Sequence, residues 1–454
     1  TRNTLALTGL GRKLPHYGKY SYLVFEGPEP TNIAKGNWPA FGSPMIYNLD
    51  KFDSSNYIFP KRQALATLPP LFSRHRLSKH IQFLSSDDLT GRGIDTSGID
   101  LAADYISEAF KKNGLKPYKG YSDFLQKWKE KTGPKNRTVL LKNVIAMIPG
   151  TNAAFDDQMV ILSAHYDHLG YGWPGVSRKN IGKLHPGADD NASGVSLLLE
   201  LSHLLGNQLK PLRKIVFISF TGEENGLMGS NHFLKQLSEK ERNGIIAIVN
   251  LDTIGRLNKK KPLVLGSQSA LEWKYIFMGT SYTTGIESQL VMNNSESSDQ
   301  AAFISRGIPG IQLFSGGHFD YHQPTDRYEK IDLDGIVKIG TICKEVIVYL
   351  ANREKKMTFT GDATNPSKPN QSVQQSTTSP RRRARTGFMP DFAFRGNGVR
   401  IGGISPSGPA GKAGMKKGDI ISQIDNHPIG DLKTYSRILK TYQPGDQVTI
   451  FFIR

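Results

Sequence analysis

Residues 159–168 read Met-Val-Ile-Leu-Ser-Ala-His-Tyr-Asp-His. An uncharged, apolar run this short is what a strand buried on both faces requires. It ends at once in two histidines and an aspartate. The pattern recurs downstream. Residues 214–220 (KIVFISF) lead into Thr221-Gly222-Glu223-Glu224, and residues 245–249 (IIAIV) into Asn250-Leu251-Asp252. Beyond residues 311–314 (IQLF) comes Tyr321-His322-Gln323-Pro324-Thr325-Asp326. Helical periods separate these runs, at residues 195–205, 227–237, 299–305 and 335–350. Upstream, residues 101–113 place Leu101, Ala102, Tyr105, Ile106, Ala109 and Phe110 on one face, and Gly114 follows as a stop. Strands alternating with helices predict an α/β fold, an open and mostly parallel sheet with helices on both faces.

In open α/β sheets, ligands bind outside the carboxyl ends of the strands. Four strand candidates therefore deliver His or carboxylate groups to one rim. A fifth cluster, Gly187-Ala188-Asp189-Asp190-Asn191-Ala192-Ser193-Gly194, stands just before a helix. His with Asp and Glu, and no Cys, suits a borderline divalent ion, zinc first. Two histidines and several carboxylates exceed one tetrahedral shell and suffice for two metals sharing a carboxylate. Such pairs, ~3.5–4 Å apart, polarise a carbonyl and activate a water. Glu223 and Glu224 fit if their side chains diverge, one binding metal and the other acting as base. Each signal alone has a plainer reading: a loop histidine, an Asp-Asp N-cap, a solvated Glu-Glu turn. Solvated turns do not explain all of them at successive strand ends.

The chain has 454 residues, which suggests about three domains at ~150 residues each. Hydrophobic residues at 38% and charged residues at 22% are ordinary, and exclude a disordered, collagenous or coiled-coil protein. The charge is less ordinary. Lys+Arg 58 against Asp+Glu 40 gives +18, which raises nucleic acid or an anionic surface as a partner. Residues 355–385 carry seven basic residues and one acidic, ending in Arg381-Arg382-Arg383-Ala384-Arg385, so a third of the excess lies in a Ser/Thr/Gln/Pro-rich linker. That run reads as a solvated tether, with weak anchoring to an anionic surface as the lesser alternative. No basic stripe with interleaved aromatics occurs, so nucleic acid is not expected as a partner.

Cys343 is the single cysteine, which excludes an intrachain disulfide. It shares a helical face with Ile336, Ile339, Val346 and Leu350 and reads as a small buried hydrophobe. No apolar run approaches the ~18 residues of a membrane span. The chain opens on Thr1 without a charged-then-apolar leader, as expected of a processed or excised form. Residues 1–75, with a strand-like stretch at 20–25, read as a small β segment or the tail of an upstream domain, and show no chemistry.

From residue 77 to about 352, the motifs AHYDH, GADDNASG, TGEENGLMGS, NLDTIG, SSDQAAF and YHQPTD carry a resemblance. This region resembles the dizinc exopeptidases of the bacterial leucyl aminopeptidase and aminopeptidase Y type, which include glutamate carboxypeptidase relatives. The resemblance implies two zinc ions, one held by His165, Asp190 and Asp252, the other by Asp190, Glu224 and His322, with Asp190 bridging. It makes Glu223 the general base that passes a proton from water to the leaving amine, and Asp167 the group that orients His165. Asp189, His168, His185 and Asp326 are expected to be structural. Gln300 stands where many relatives carry His, and residues 116–164 leave no room for the domain that many relatives insert there. The implied activity is aminopeptidase hydrolysis of peptides. The alternatives are a carboxypeptidase or glutaminyl-cyclase-like enzyme on the same fold, or a catalytically weak peptide-binding protein. Cyclases work with one zinc, and neither ligand nor base is missing here. Relatives are often exported, which points to a periplasmic or extracellular site.

The last unit, residues 386–454, resembles a PDZ domain of the bacterial protease-associated kind. The match rests on Gly398-Val399-Arg400-Ile401 and on residues 405–421 (SPSGPAGKAGMKKGDII). Thr386-Gly387-Phe388-Met389 stands where such domains bind a C-terminal carboxylate, which makes Gly387, Phe388 and Met389 candidate peptide contacts, although the usual second glycine is absent. A captured peptide would add as a strand beside a helix at 431–442, where Leu432, Tyr435 and Leu439 either line the groove or form core. The expected organisation is therefore an N-terminal segment (1–75), a peptidase domain (76–353), a basic linker (354–385) and a small β-rich PDZ domain (386–454).

Overall fold

The computed structural model describes residues 4–37, 71–118, 120–206, 208–292, 298–361, 384–392 and 394–454. Most of the expected linker, residues 362–383 with Arg381, Arg382 and Arg383, lies outside the described residues. The chain divides into two units, Thr1–Pro69 and Pro70–Arg454. In the first, helix α1 (Leu7–Lys13) precedes an antiparallel hairpin of β1 (Tyr22–Glu26) and β2 (Thr31–Gly36).

In the second unit, α2 (Arg74–Leu84) and α3 (Ser97–Lys112) come first, then β3 (Lys116–Pro117) and the long hairpin of β4 (Leu125–Thr132) and β5 (Arg137–Ile148). The alternation follows: β6 (Met159–His165), α4 (Gly194–Gly206), β7 (Lys214–Phe220), α5 (Met228–Gln236), α6 (Glu239–Asn243), β8 (Ile245–Leu251), β9 (Leu263–Leu265) and α7 (Trp273–Thr284). It ends with β10 (Gln289–Val291), α8 (Gln300–Ile304), β11 (Gly310–Phe314) and α9 (Leu333–Asn352). The strands lie in the order β10-β9-β11-β8-β6-β7-β5-β3, with β4 on β5. The central four, β11, β8, β6 and β7, are mutually parallel, as their buried apolar sequences predict. The flanks are not: β9 runs antiparallel to β11, and β5 to β7.

Strand alternation explains the two helical layers. Val160 and Leu162 of β6 face a cluster that includes Leu198 and Leu201 of α4 and Ile339, Cys343 and Val346 of α9. Ile161, one residue out of phase, joins Phe233 of α5 and Phe303 of α8 on the other face. Both faces of the sheet are thus sealed, and only its strand ends are free to carry chemistry.

Residues 355–361, expected to begin the linker, are packed instead. Met357 is buried in the main core, Phe359 bridges Ala270, and Thr360 N donates to Ser269 O at 3.1 Å. Thr358 N–H and hydroxyl also donate to Glu272, and the strap's few apolar side chains are too few to form a period in the sequence.

The C-terminal sheet contains β12 (Phe388–Pro390), β13 (Val399–Ile404), β14 (Ile420–Ile424), β15 (His427–Pro428) and β16 (Ile450–Ile453), with helices α10 (Pro409–Lys412) and α11 (Leu432–Leu439). Its own small core holds Phe388, Ile401, Ile421, Tyr435 and Leu439. β12 is an edge strand, paired among the described residues only with β13. The segment leaving β12 rests on the large sheet. The Phe392 ring meets that of Phe314 edge-on at 5.4 Å, and Arg395 Nη2 donates to Leu290 O at 2.7 Å. Among the described residues, no helix is long and apolar enough to cross a membrane.

Candidate metal centre

The chemistry sits where the parallel strands end. His165 is the last residue of β6, Glu223 and Glu224 lie in the turn after β7, Asp252 follows β8, and Asp190 lies in the loop before α4. His322 is in the long loop after β11. His165 Nε2 stands 3.3 Å from Asp190 Oδ1 and 3.5 Å from Asp252 Oδ1. His322 Nε2 stands 3.1 Å from the other Asp190 oxygen, Oδ2, and 3.2 Å from Glu224 Oε1. Asp190 thus faces a different donor set with each oxygen. All five candidate ligands named from the sequence come together.

Two donor groups among the described residues could each hold an ion: His165, Asp190 and Asp252, and His168, Asp190 and Glu224. The second contains His168, expected to be structural. Its Nδ1 lies 2.9 Å from Glu224 Oε1 and 3.8 Å from Asp190 Oδ2. His168 and His322 thus approach the same pair of carboxylates.

The donor set fits a divalent ion on geometry as well as type. Asp190 Oδ2 and His322 Nε2 are buried and face each other without a well-formed hydrogen bond. The charges agree. Burial would lower His165, but Asp252 and Glu223 hold it well above the usual imidazole range, and Glu224 does the same for His322. Glu224 itself, though burial opposes it, is held down to about 2 by His322 and His168. The carboxylates that draw these imidazoles toward the cationic form are the groups that would attract a metal ion.

Asp167 acts on two neighbours. Its carboxylate accepts from the Glu223 N–H at 3.1 Å and the Glu224 N–H at 3.3 Å, pinning the turn that carries both. His165 Nδ1 is closer to the Asp167 main-chain oxygen, 3.2 Å, than to its carboxylate, 3.7 Å. The ring is therefore oriented through Asp167's backbone rather than its side chain. Glu223 lies beside this arrangement, and burial with Glu224, Asp252 and Asp299 raises its carboxyl well above the usual range. Asp299 is buried, and burial lifts it to about 7.

The 187–194 loop is held from several directions. Asp326 Oδ2 accepts from the Asp189 and Asp190 N–H groups, at 2.9 and 3.1 Å. Asn191 donates to Leu251 O at 2.9 Å and accepts from Gly194 and Thr253 N–H, tying the loop to the end of β8. The Asp190–Asn191 peptide is cis. Gly187 has φ 61°, and a Cβ there would strike Asp190 O and the His168 ring.

Three participants were given no part in the site from the sequence, although Tyr321 stands in the YHQPTD motif. Arg92, fully buried, donates to Tyr166 O, Pro186 O and Gly187 O at 2.7, 2.8 and 2.9 Å, and to Leu84 O. Its guanidinium is lowered by burial to about 10 even with Asp190 and Asp167 near it. His318 Nε2 lies 3.0 Å from Asp189 Oδ2, and Tyr321 stacks on His322 at 3.9 Å. His185 Nδ1 lies 2.8 Å from Lys183 O.

Residues 143–347 match the model of peptidase family M28, and residues 400–454 that of the PDZ domain. The chain contains an M28 peptidase domain and a PDZ domain. The peptidase domain is similar to Aminopeptidase YwaD of Bacillus subtilis (strain 168), 29% identical over 225 residues, covering 47% of this chain and 46% of that protein. It is also similar to Probable leucine aminopeptidase 2 of Arthroderma benhamiae, 30% identical over 191 residues, covering 40% of this chain and 34% of the relative. The chain spans less than half the length of these two relatives. Among solved structures, the zinc aminopeptidase BSAP from Bacillus subtilis shares the fold, with TM-score 0.50 and 20% identity over 66% of this chain and 100% of that one.

In the PDZ domain, Gly387 has φ 79° and leads into Phe388, a core residue, and Met389. Thr386 Oγ1 and Tyr435 Oη lie 2.6 Å apart, which joins this loop to α11. Tyr435 and Leu439 are buried in the domain core and Leu432 packs against it.

Proposed function

We propose that the chain is a zinc-dependent exopeptidase, acting as an aminopeptidase on the free N-terminus of peptides. One observation carries the proposal: Asp190 presents one oxygen to His165 and Asp252's group and the other to His322 and Glu224's, with Glu223 adjacent. His165, Asp190 and Asp252 would hold one zinc, and Asp190, Glu224 and His322 the other. His168, hydrogen-bonded to Glu224, would fix that carboxylate. Zinc in these positions supplies a Lewis acid for the scissile carbonyl and acidifies water. Glu223 takes the proton from the attacking water and delivers it to the leaving amine. A carboxyl raised above its ordinary range is suited to both acts near neutral pH. Asp167 keeps Glu223 and Glu224 on diverging courses by holding both of their N–H groups. The parallel sheet supplies the rigid base, since each of these residues follows a strand sealed on both faces.

The PDZ domain, in this reading, captures a C-terminal carboxylate at residues 386–389, with the peptide lying between β12 and α11. In this reading the functional parts are residues 1–75, the peptidase domain with its docked strap up to residue 361, the rest of the linker up to 385, and the PDZ domain from 386 to 454.

Assaying aminoacyl amides against N-blocked peptides tests the activity. Hydrolysis of the amides alone is expected, and cleavage of N-blocked peptides from their C-terminus would replace the reading with a carboxypeptidase. Metal analysis is expected to give about two zinc per chain, and one would favour a cyclase-like enzyme.

A further inference from the structure

The PDZ domain rests on the loop that carries His322. Gly317, midway between the end of β11 and His322, is so close to Met389 and Phe392 that a Cβ on it would fall 2.8 and 2.9 Å from them. Phe319 of the same loop approaches Gly403 of β13. Phe392 also packs against a cluster containing Leu263, Leu265 and Phe314 of the large sheet. From Gly317 the loop goes straight to the centre: His318, the next residue, lies 3.0 Å from Asp189, and His322, five residues on from Gly317, faces Asp190 and Glu224.

Direction then decides what such a placement does. The carboxylate-binding residues 386–389 stand at the start of β12, so a peptide held by its C-terminus pairs antiparallel to this edge strand. Its chain runs back along β12 and leaves at the Pro390–Phe392 end, which is the end seated on Gly317. The peptide's N-terminus is thereby aimed at the rim where an aminopeptidase needs it. We propose that the PDZ domain captures the C-terminus of the enzyme's own substrate and presents the N-terminus of that same peptide to the metal centre. The substrate class is short, linear peptides with a free C-terminal carboxylate. The inference rests on the aminopeptidase reading above and adds a second point of recognition on one substrate molecule. Engaging both ends of one chain raises the effective concentration of its N-terminus at the centre. Residues 388–392 match about five residues of extended peptide at ~3.3 Å each, so peptides shorter than about six residues reach only one site at a time.

The test uses the full chain and changes only the substrate. Peptides of one N-terminal residue, about two to twelve residues long, are compared as free acids and C-terminal amides, with the aminoacyl p-nitroanilide assayed in the same preparation. The expected acid-to-amide ratio in kcat/KM is about one for the shortest peptides and about tenfold above about six residues, carried by KM. An N-acetylated free-acid peptide should abolish that advantage and leave anilide hydrolysis unchanged. A ratio near one at every length overturns the proposal, as does an advantage that the acetylated competitor leaves intact. Anilide turnover reports the aminopeptidase reading separately, so loss of one reading is not mistaken for loss of the other. Binding of the same fluorescently labelled acid and amide peptides to the Glu223→Gln protein gives a readout independent of turnover, with the acid expected to bind about tenfold tighter and equal affinity counting against the proposal.

Discussion

In the proposed reading, the metal rim and the PDZ groove both handle the ends of peptides, by opposite means. At the rim, ionisable side chains are buried together and held by a polar framework: Asp326 on two N–H groups, Asp167 on two more, Arg92 on four carbonyl oxygens. At the groove, the elements proposed to bind are main-chain groups of an edge strand, and the side chains nearby, Phe388 and Tyr435, mainly fill a small core. Reactivity requires charge out of water, and charge out of water requires a rigid polar frame. Carboxylate capture requires only oriented backbone, which a five-stranded sheet supplies at little cost in buried charge.

Changes at the two sites should therefore differ in kind. Glu223→Gln is expected to lower turnover by about 10²–10⁴-fold while leaving zinc content unchanged, as read by anilide hydrolysis alongside metal analysis. Near-normal turnover would remove Glu223 from its assigned part. Arg92→Met should destabilise the peptidase domain by about 3–5 kcal/mol, since it strands four acceptors and removes a cation facing buried carboxylates. Urea unfolding measures this, and a loss below about 1 kcal/mol would mean that the framework does not depend on Arg92. The third change concerns acid. His80, hydrogen-bonded to Tyr105 at 2.8 Å, is lowered by burial to about 4, with Glu200 opposing and Arg76 adding. A histidine lowered in the native state contributes stability that is full above about 6.5 and is lost as pH falls toward 4. By pH 5 the loss should be about 1–2 kcal/mol, and it should vanish in His80→Gln. The smallest effect is expected from Ile401→Val in the PDZ core, about 1 kcal/mol, seen as a lower melting midpoint with anilide hydrolysis unaltered.

Much of the rim was legible because its parts are local. Each of β6, β7 and β8 is a continuous apolar run with its functional residue immediately after it, so chain position and spatial position coincide. What was not legible is non-local. Arg92 lies in a Gly-Arg-Gly turn with no periodicity, and its partners are main-chain oxygens 8 to 95 residues away. His318 reads as an ordinary loop histidine until the fold sets it on Asp189. The docking of residues 355–361 rests on two apolar side chains and on hydrogen bonds to distant residues such as Glu272, and the seat of Phe392 on Phe314 joins residues that no sequence pattern connects. Asp167 shows a subtler limit: its partnership with His165 was anticipated, but which of its oxygens serves the ring depends on a turn whose geometry the sequence does not display.

Arg92 has one further consequence, for the charge of the rim. Carboxylates gathered in one place repel one another and need cations beside them. A guanidinium is a counter-ion that is covalently present from the moment of synthesis and is not lost to chelators or dilution. In place beside Asp190 and Asp167, it offsets part of their repulsion whatever else the rim holds.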